Sequence, residues 1–157
     1  KYLSNLDEWV EELESLLRNI QYLILAGRGS SLASAGTGGL IIKESAHFPA
    51  EGMSSAAFRH GPLDMISSEI LVLVFEGQEP TRELNRKLAE EIRQLGGKSA
   101  FVGASSDHPV FHLPSVPSVM LPVFEILPVQ MISLALAKMK KIDPGLFKLG
   151  SKVTRDE

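Results

Sequence analysis

Short runs of uninterrupted apolar residues, each followed by a turn and then by helical periodicity, constrain this chain more than any other feature. Residues 22–26 (Tyr-Leu-Ile-Leu-Ala), 70–75 (Ile-Leu-Val-Leu-Val-Phe) and 99–102 (Ser-Ala-Phe-Val) lack the in–out alternation of a half-exposed strand. Such runs belong in a sheet covered on both faces. Between them lie helical patterns. Over 3–20, Leu6, Val10, Leu13, Leu16 and Leu17 recur at three and four, with Ser4 or Asn5 placed to cap and Asp7 and Glu8 in the first turn. Further helices are expected over 31–47, 81–95 and 124–140. In the second of these, Leu84, Leu88, Ile92 and Leu95 form the inner stripe and Gly96-Gly97 the stop. Residues 110–113 read as a fourth strand, and 49–68, broken by Gly52, Gly61 and Pro62, as irregular. Strand–helix alternation of this kind predicts an α/β fold with a parallel sheet.

At 157 residues the chain is expected to form one domain, spanning 1–157 with 143–157 as a polar tail after Asp143-Pro144-Gly145. A domain of this size buries roughly two thirds of its unfolded surface and needs no covalent staples. It has no Cys, which excludes a disulfide framework, a thiolate metal site and a Cys nucleophile. That fits a reducing compartment, and the cytoplasm is the expected location. A net charge of −3 gives no general attraction to nucleic acid or to an acidic membrane. The most apolar stretch, 119–137, is interrupted by Pro122, Glu125, Pro128 and Gln130, as suits a core helix rather than a membrane span. No signal peptide is expected, because no apolar core follows the opening residue. The first residue is Lys1, so a piece of a longer polypeptide is expected.

Ligands of open α/β sheets bind beyond the carboxyl ends of the strands. Gly27-Arg28-Gly29-Ser30-Ser31 falls there, and Arg28, Ser30 and Ser31 offer donors at a helix start. A dinucleotide fingerprint fails because Leu32 stands where the third glycine belongs. A tight packing turn and an anion-facing turn fit these residues equally well. The loop after the second apolar run carries Glu76 and Glu79 and would repel phosphate. Two further residues have chemical potential. Glu44 follows Thr37, Leu40 and Ile41 on one helical face, a partly apolar setting in which a carboxylate can serve as a base, although a solvated helix-end carboxylate fits too. His60 opens His60-Gly61-Pro62-Leu63, where a rigid turn can hold an imidazole, for catalysis or for structure. His47, His108 and His112 have no catalytic setting, and no His pair has metal-ligand spacing, so neither metal nor cofactor is expected.

In their order and spacing, Gly27-Arg28-Gly29, Lys43-Glu44, Ala50-Glu51-Gly52 and Phe58-Arg59-His60-Gly61-Pro62-Leu63 resemble the SIS (sugar isomerase) family. Within it, the chain is most similar to the C-terminal SIS halves of glucosamine-6-phosphate deaminases and synthases. The resemblance implies a flavodoxin-like three-layer α/β/α sandwich with about five parallel strands. It also implies a preceding SIS domain that carries the phosphate loops, and a homodimer. By the same resemblance Glu44 matches the base that moves a proton between C1 and C2 of an open-chain sugar phosphate. His60 matches the histidine that assists ring opening, reaching the neighbouring subunit's site. The family's tail lysine aligns at Ser151, beside Lys152. Ile41 stands where synthases have a lysine, and Thr37-Gly38 where they have Glu-Gly; these departures favour a deaminase or plain isomerase. The rival readings are the isomerase half of a glutamine-dependent synthase, a phosphosugar-sensing module of a regulator, and a dimerisation module with a dead site.

Overall fold

The structure, a computed structural model, describes residues 2–147. Helix α1 (Leu6–Leu17) leads into strand β1 (Tyr22–Gly27), helix α2 (Ser31–Ala46), strand β2 (Ala50–Ser54) and the single-turn helix α3 (Ser55–Phe58). Strand β3 (Ile70–Phe75), helix α4 (Arg82–Gln94), strand β4 (Lys98–Val102) and helix α5 (Leu121–Lys140) complete it. All strand pairs are parallel, in the order β2-β1-β3-β4. This is the flavodoxin-like arrangement expected, with four strands rather than five.

Two segments depart from the sequence reading. Residues 110–113 do not form a strand. Their sheet contact shrinks to one bridge, Gly103 to His112, with Gly103 N–H donating to Phe111 O and Leu113 N–H donating to Gly103 O. Pro109 and Pro114 bracket the segment, and proline has no N–H to extend a ladder. Conversely, β2 lies inside the segment read as irregular. Ala-Glu-Gly-Met-Ser has no strand signal of its own; its pairing with β1, from Leu23–Ala50 to Gly27–Ser54, imposes the extended form.

Alternate strand residues face opposite layers. Leu23, Leu25, Leu71, Leu73 and Phe75 pack with α1, α2 and α5. Ile24, Ala26, Val72 and Val74 pack with α4 and Phe58. Helix α2 lies so close to β2 that a Cβ on Gly52 would stand 2.0 Å from Ala35 O, and one on Gly39 would stand 2.8 Å from Gly52 N. In α4 the buried face is Asn85, Leu88, Ala89 and Ile92, while Leu84 and Leu95 are exposed. The 3.6-residue period centres on the former set, and the two outer leucines fall at its margins. Neither Ser4 nor Asn5 caps α1: Asn5 holds the cap position without a side-chain hydrogen bond. At the end of α2, His47 turns left-handed (φ 46°), and the Lys140 ammonium donates to the Ala46 and His47 carbonyls.

The segment Ser118–Lys140 is long and apolar enough to cross a membrane by length and composition. In this fold α5 packs on α1 and α2 and carries the buried Glu125.

Candidate functional site

The carboxyl ends of β1 and β3 meet the start of α2. Gly27 is required there, because a Cβ would come within 2.8 Å of Ser31 O. Gly29 takes the left-handed conformation (φ 57°). The turn therefore has a packing reason. It also leaves donors and acceptors over: Arg28 Nε, Ser30 Oγ and, from the loop after β3, Gln78 Oε1 are buried without hydrogen-bond partners. Ser31 is committed elsewhere. It is fully buried and donates to Glu125 Oε1 at 2.7 Å, while Ser34 donates to Glu125 Oε2 at 2.5 Å.

Glu125 is the residue that sequence reasoning passed over. It stood out only as the one carboxylate in an apolar stretch. Burial pushes its carboxyl above the ordinary 4.5; the two serine hydroxyls pull it back, and the charge of Glu76 pushes it further up. Glu76 is buried too, yet it is not the bare repulsive charge that was expected. It accepts from Ser105 N–H at 3.0 Å and from the Ser105 hydroxyl, and Arg82 Nε lies 3.1 Å from its Oε1. Arg82 also stands 3.5 Å from Glu79. The pairing with Arg82 offsets much of the loop's negative charge. Between Glu76 and Glu125 lies a cavity of about 60 Å³, bordered by Gln78, Arg82 and Ser115.

Glu44 sits elsewhere, near the C-terminal end of α2 and hence at the opposite edge of the sheet. Its face is the outward one: Thr37, Leu40 and Glu44 are exposed and Ile41 half-buried. The apolar stripe is real, but nothing among the described residues covers it. His60 is exposed in the turn after α3, its N–H donating to Ala57 O, before Gly61 at φ 124°. Phe58 and Leu63 on either side belong to the α4 layer, whereas Ile42 and Ala46 beside Glu44 belong to the α2–α5 layer. Glu44 and His60 of one chain thus lie in layers on opposite faces of the sheet. Neither side chain has a hydrogen bond or ion pair among the described residues. Lys152 lies outside the described residues, as does most of the 143–157 tail.

The remaining histidines are structural in their surroundings. His108 Nε2 is 3.4 Å from Glu12 and its ring packs against Phe111; His112 Nδ1 is 3.0 Å from Ser106 O. Among the described residues no cluster of His, Asp and Glu is placed to hold a metal ion.

The model of the SIS domain family matches residues 16–139, from α1 to the end of α5. The chain belongs to the SIS domain family. Among curated relatives, a glutamine–fructose-6-phosphate aminotransferase (isomerizing) of Escherichia coli is 30% identical over 148 residues, which are 87% of this chain and 24% of that protein. Among solved structures, the C-terminal domain of glucosamine-fructose-6-phosphate aminotransferase from Francisella tularensis superposes with a TM-score of 0.79 at 22% identity, over 92% of this chain and 43% of that one. Glucosamine-6-phosphate deaminase from Thermotoga maritima gives 0.71 at 17% identity, over 92% and 45%. The chain therefore spans about a quarter of the length of the curated relative and under half of each of these solved chains.

Proposed function

We propose that this SIS domain is one half of an aldose–ketose isomerase acting on a phosphorylated amino sugar. The observation that carries the reading is the separation of Glu44 and His60. Each is exposed and has no side-chain partner among the described residues, and they lie in layers on opposite faces of the sheet. A site that uses both needs Glu44 from one copy and His60 from another, as in a homodimer.

In this reading Glu44 takes the proton from C2 of the open-chain amino sugar. An enolamine forms, and Glu44 returns the proton to C1, leaving an imine at C2. Water then hydrolyses the imine to the ketose and ammonia. His60 of the neighbouring copy moves the proton that opens the ring, and Lys152 of the tail, beside the position of the family's tail lysine, is the third residue assigned to the catalytic set. Of the loop residues expected to meet substrate, Arg28 and Ser30 have buried polar atoms to spare, whereas Ser31 already donates to Glu125. Phosphate is held by a preceding SIS half of the same polypeptide. The finer assignment is glucosamine 6-phosphate to fructose 6-phosphate and ammonia, in the cytoplasm.

A second reading, the isomerase half of a glutamine-dependent synthase, is favoured by the names of the curated relatives, which are isomerizing aminotransferases. The experiment is to supply the full polypeptide with glucosamine 6-phosphate and follow ammonia and ketose. Release of both supports the deaminase. Amination of fructose 6-phosphate with glutamine supports the synthase instead, and no reaction in either direction overturns the catalytic reading.

A further inference from the structure

Helices α2 and α5 run parallel on one face of the sheet and are tied to each other at both ends. At their starts, Ser31 and Ser34 donate to Glu125. At their ends the tie is of another kind. Helix α5 closes on its own chain: Lys141 turns left-handed (φ 54°), and its N–H donates to Ala137 O and Lys138 O. Helix α2 is closed from outside. His47, also left-handed, leads into Phe48-Pro49, and Pro49 has no N–H to turn back. Three successive carbonyls at this end accept from the end of α5 and the segment after it. The Lys140 ammonium donates to Ala46 O at 3.2 Å and to His47 O, and the Gly145 N–H donates to Ser45 O at 3.2 Å. The ammonium also lies 5.5 Å from the centre of the Phe48 ring. With three donors it can hold two carbonyls at once, and its charge meets the negative end of the α2 dipole.

The last turn of a helix is where it frays, because its carbonyls have no partner within the helix. A left-handed residue other than glycine adds to this, since its surroundings must hold that conformation. Glu44 stands in this turn, directly before Ser45. Its side chain has no hydrogen bond or ion pair among the described residues, so its carboxylate is only as well placed as the backbone beneath it. We propose that Lys140 is a positioning residue for Glu44: by clamping the Ala46 and His47 carbonyls to the end of α5, it fixes the last turn of α2 and with it the height and direction of the carboxylate. A displacement of about 1 Å at a reacting group costs on the order of a hundredfold in rate, so such a clamp acts on turnover rather than on binding. The proposal deepens the function proposed above and rests on that reading for the role of Glu44.

Three variants of the full polypeptide test it. Lys140→Met keeps the stem over Phe48 and removes the donors, and Lys140→Arg keeps charge and donors. Lys138→Met is the control, because Lys138 pairs with Glu14 on α1 instead, at 2.7 Å. Two quantities are read well below the melting temperature: amide hydrogen exchange over residues 41–47, and turnover of glucosamine 6-phosphate. In Lys140→Met, exchange is expected to quicken about tenfold. Its kcat is expected to fall about 10- to 100-fold, with KM changed less than about twofold. Lys140→Arg should restore both quantities, and Lys138→Met should match the unaltered protein in both. Unchanged exchange in Lys140→Met overturns the clamp. Faster exchange with unchanged kcat overturns the positioning role. So does a loss shared equally by kcat and KM, or one that Lys140→Arg does not repair, because either would make Lys140 a residue of general folding. Glu44→Gln on the same preparation separates the two readings. If it is inactive, each of these failures falls on Lys140 alone. If it is fully active, or if the unaltered protein does not turn over, the base reading fails and the positioning role fails with it.

Discussion

The two helical layers of this protein are finished in different ways. Helix α4 buries Leu88, Ala89 and Ile92 and turns Glu83, Lys87, Glu90 and Arg93 to solvent. Its partly exposed charges pair within the layer: Arg86 with Glu83, Arg82 with Glu79 and Glu76, and Glu91 with Arg59 at 2.6 Å. Arg86 also lies 5.2 Å above the Phe101 ring. Such exposed pairs contribute little stability each, but they make a surface that water covers well. Among the described residues the α2–α5 layer has no comparable coat. Its contacts are made by small residues, with glycines allowing helix α2 to approach β2 backbone to backbone. The outward side of α4 is mostly charged; that of α2 carries Leu32 and Leu40 and no charge before Lys43. Glu44, the carboxylate proposed as the base, is on the second of these.

The largest test of that contrast is Glu44→Gln in the full polypeptide, against Glu90→Gln on α4. The amide keeps the shape of Glu44 but cannot shuttle a proton, so turnover is expected to fall by about 10² to 10⁴. Substrate binding should be retained, and the α4 variant should turn over normally. Equal behaviour of the two variants would return Glu44 to a solvated helix end. Next comes His60→Asn, on the α4 side. It should slow the ring-closed sugar far more than an open-chain analogue; matched losses would assign His60 to structure or general binding.

Smaller effects sharpen the packing side of the comparison. Gly52→Ala drives a methyl into the Ala35 carbonyl of α2, and the backbone must move. A loss of about 1–3 kcal/mol or more is expected in denaturant unfolding. Gly97→Ala, beyond the end of α4, meets first the Ile66 side chain at 2.3 Å. That side chain is half-buried and can rotate aside, so the loss should be smaller. The reverse order would mean that α2 and β2 can part more easily than their contacts imply.

The smallest effect concerns the buried carboxylate under the α2–α5 layer. The Glu125 carboxyl is held above its ordinary value, so the fold favours its protonated form. That contribution is full below about 4.5, where the unfolded chain is protonated as well, and is lost as the pH rises through the raised folded value. Glu125→Gln is therefore expected to melt a few degrees above the unaltered protein at pH 8, with the gap closing as the pH falls toward 4.5. A gap that does not change with pH would show that burial of the charge is not what the site pays for.

Much of the architecture was legible in the residues because it rests on local signals. The apolar runs at 22–26, 70–75 and 99–102 became β1, β3 and β4, and the periodic segments became α1, α2, α4 and α5. The motif spacing around Glu44 and His60 pointed to the SIS family, which the match over residues 16–139 shows. Other features were decided only by contacts distant in sequence. Strand β2 exists because β1 offers it a ladder and α2 leaves room at Gly52. The strand expected at 110–113 fails because prolines bracket it. Leu84 and Leu95 lie outside because the α4 stripe is narrower than its list of leucines. Glu125 becomes a buried acceptor only when α5 is laid along Ser31 and Ser34, more than ninety residues away. Periodicity reports that a helix has an apolar side. It does not report how many other elements reach that side, since burial depends on the path of the whole chain. The same limit hides the outer face of α2: from the residues alone, Leu32 and Leu40 look like core, and only the folded sheet shows that the core of this chain is on their other side.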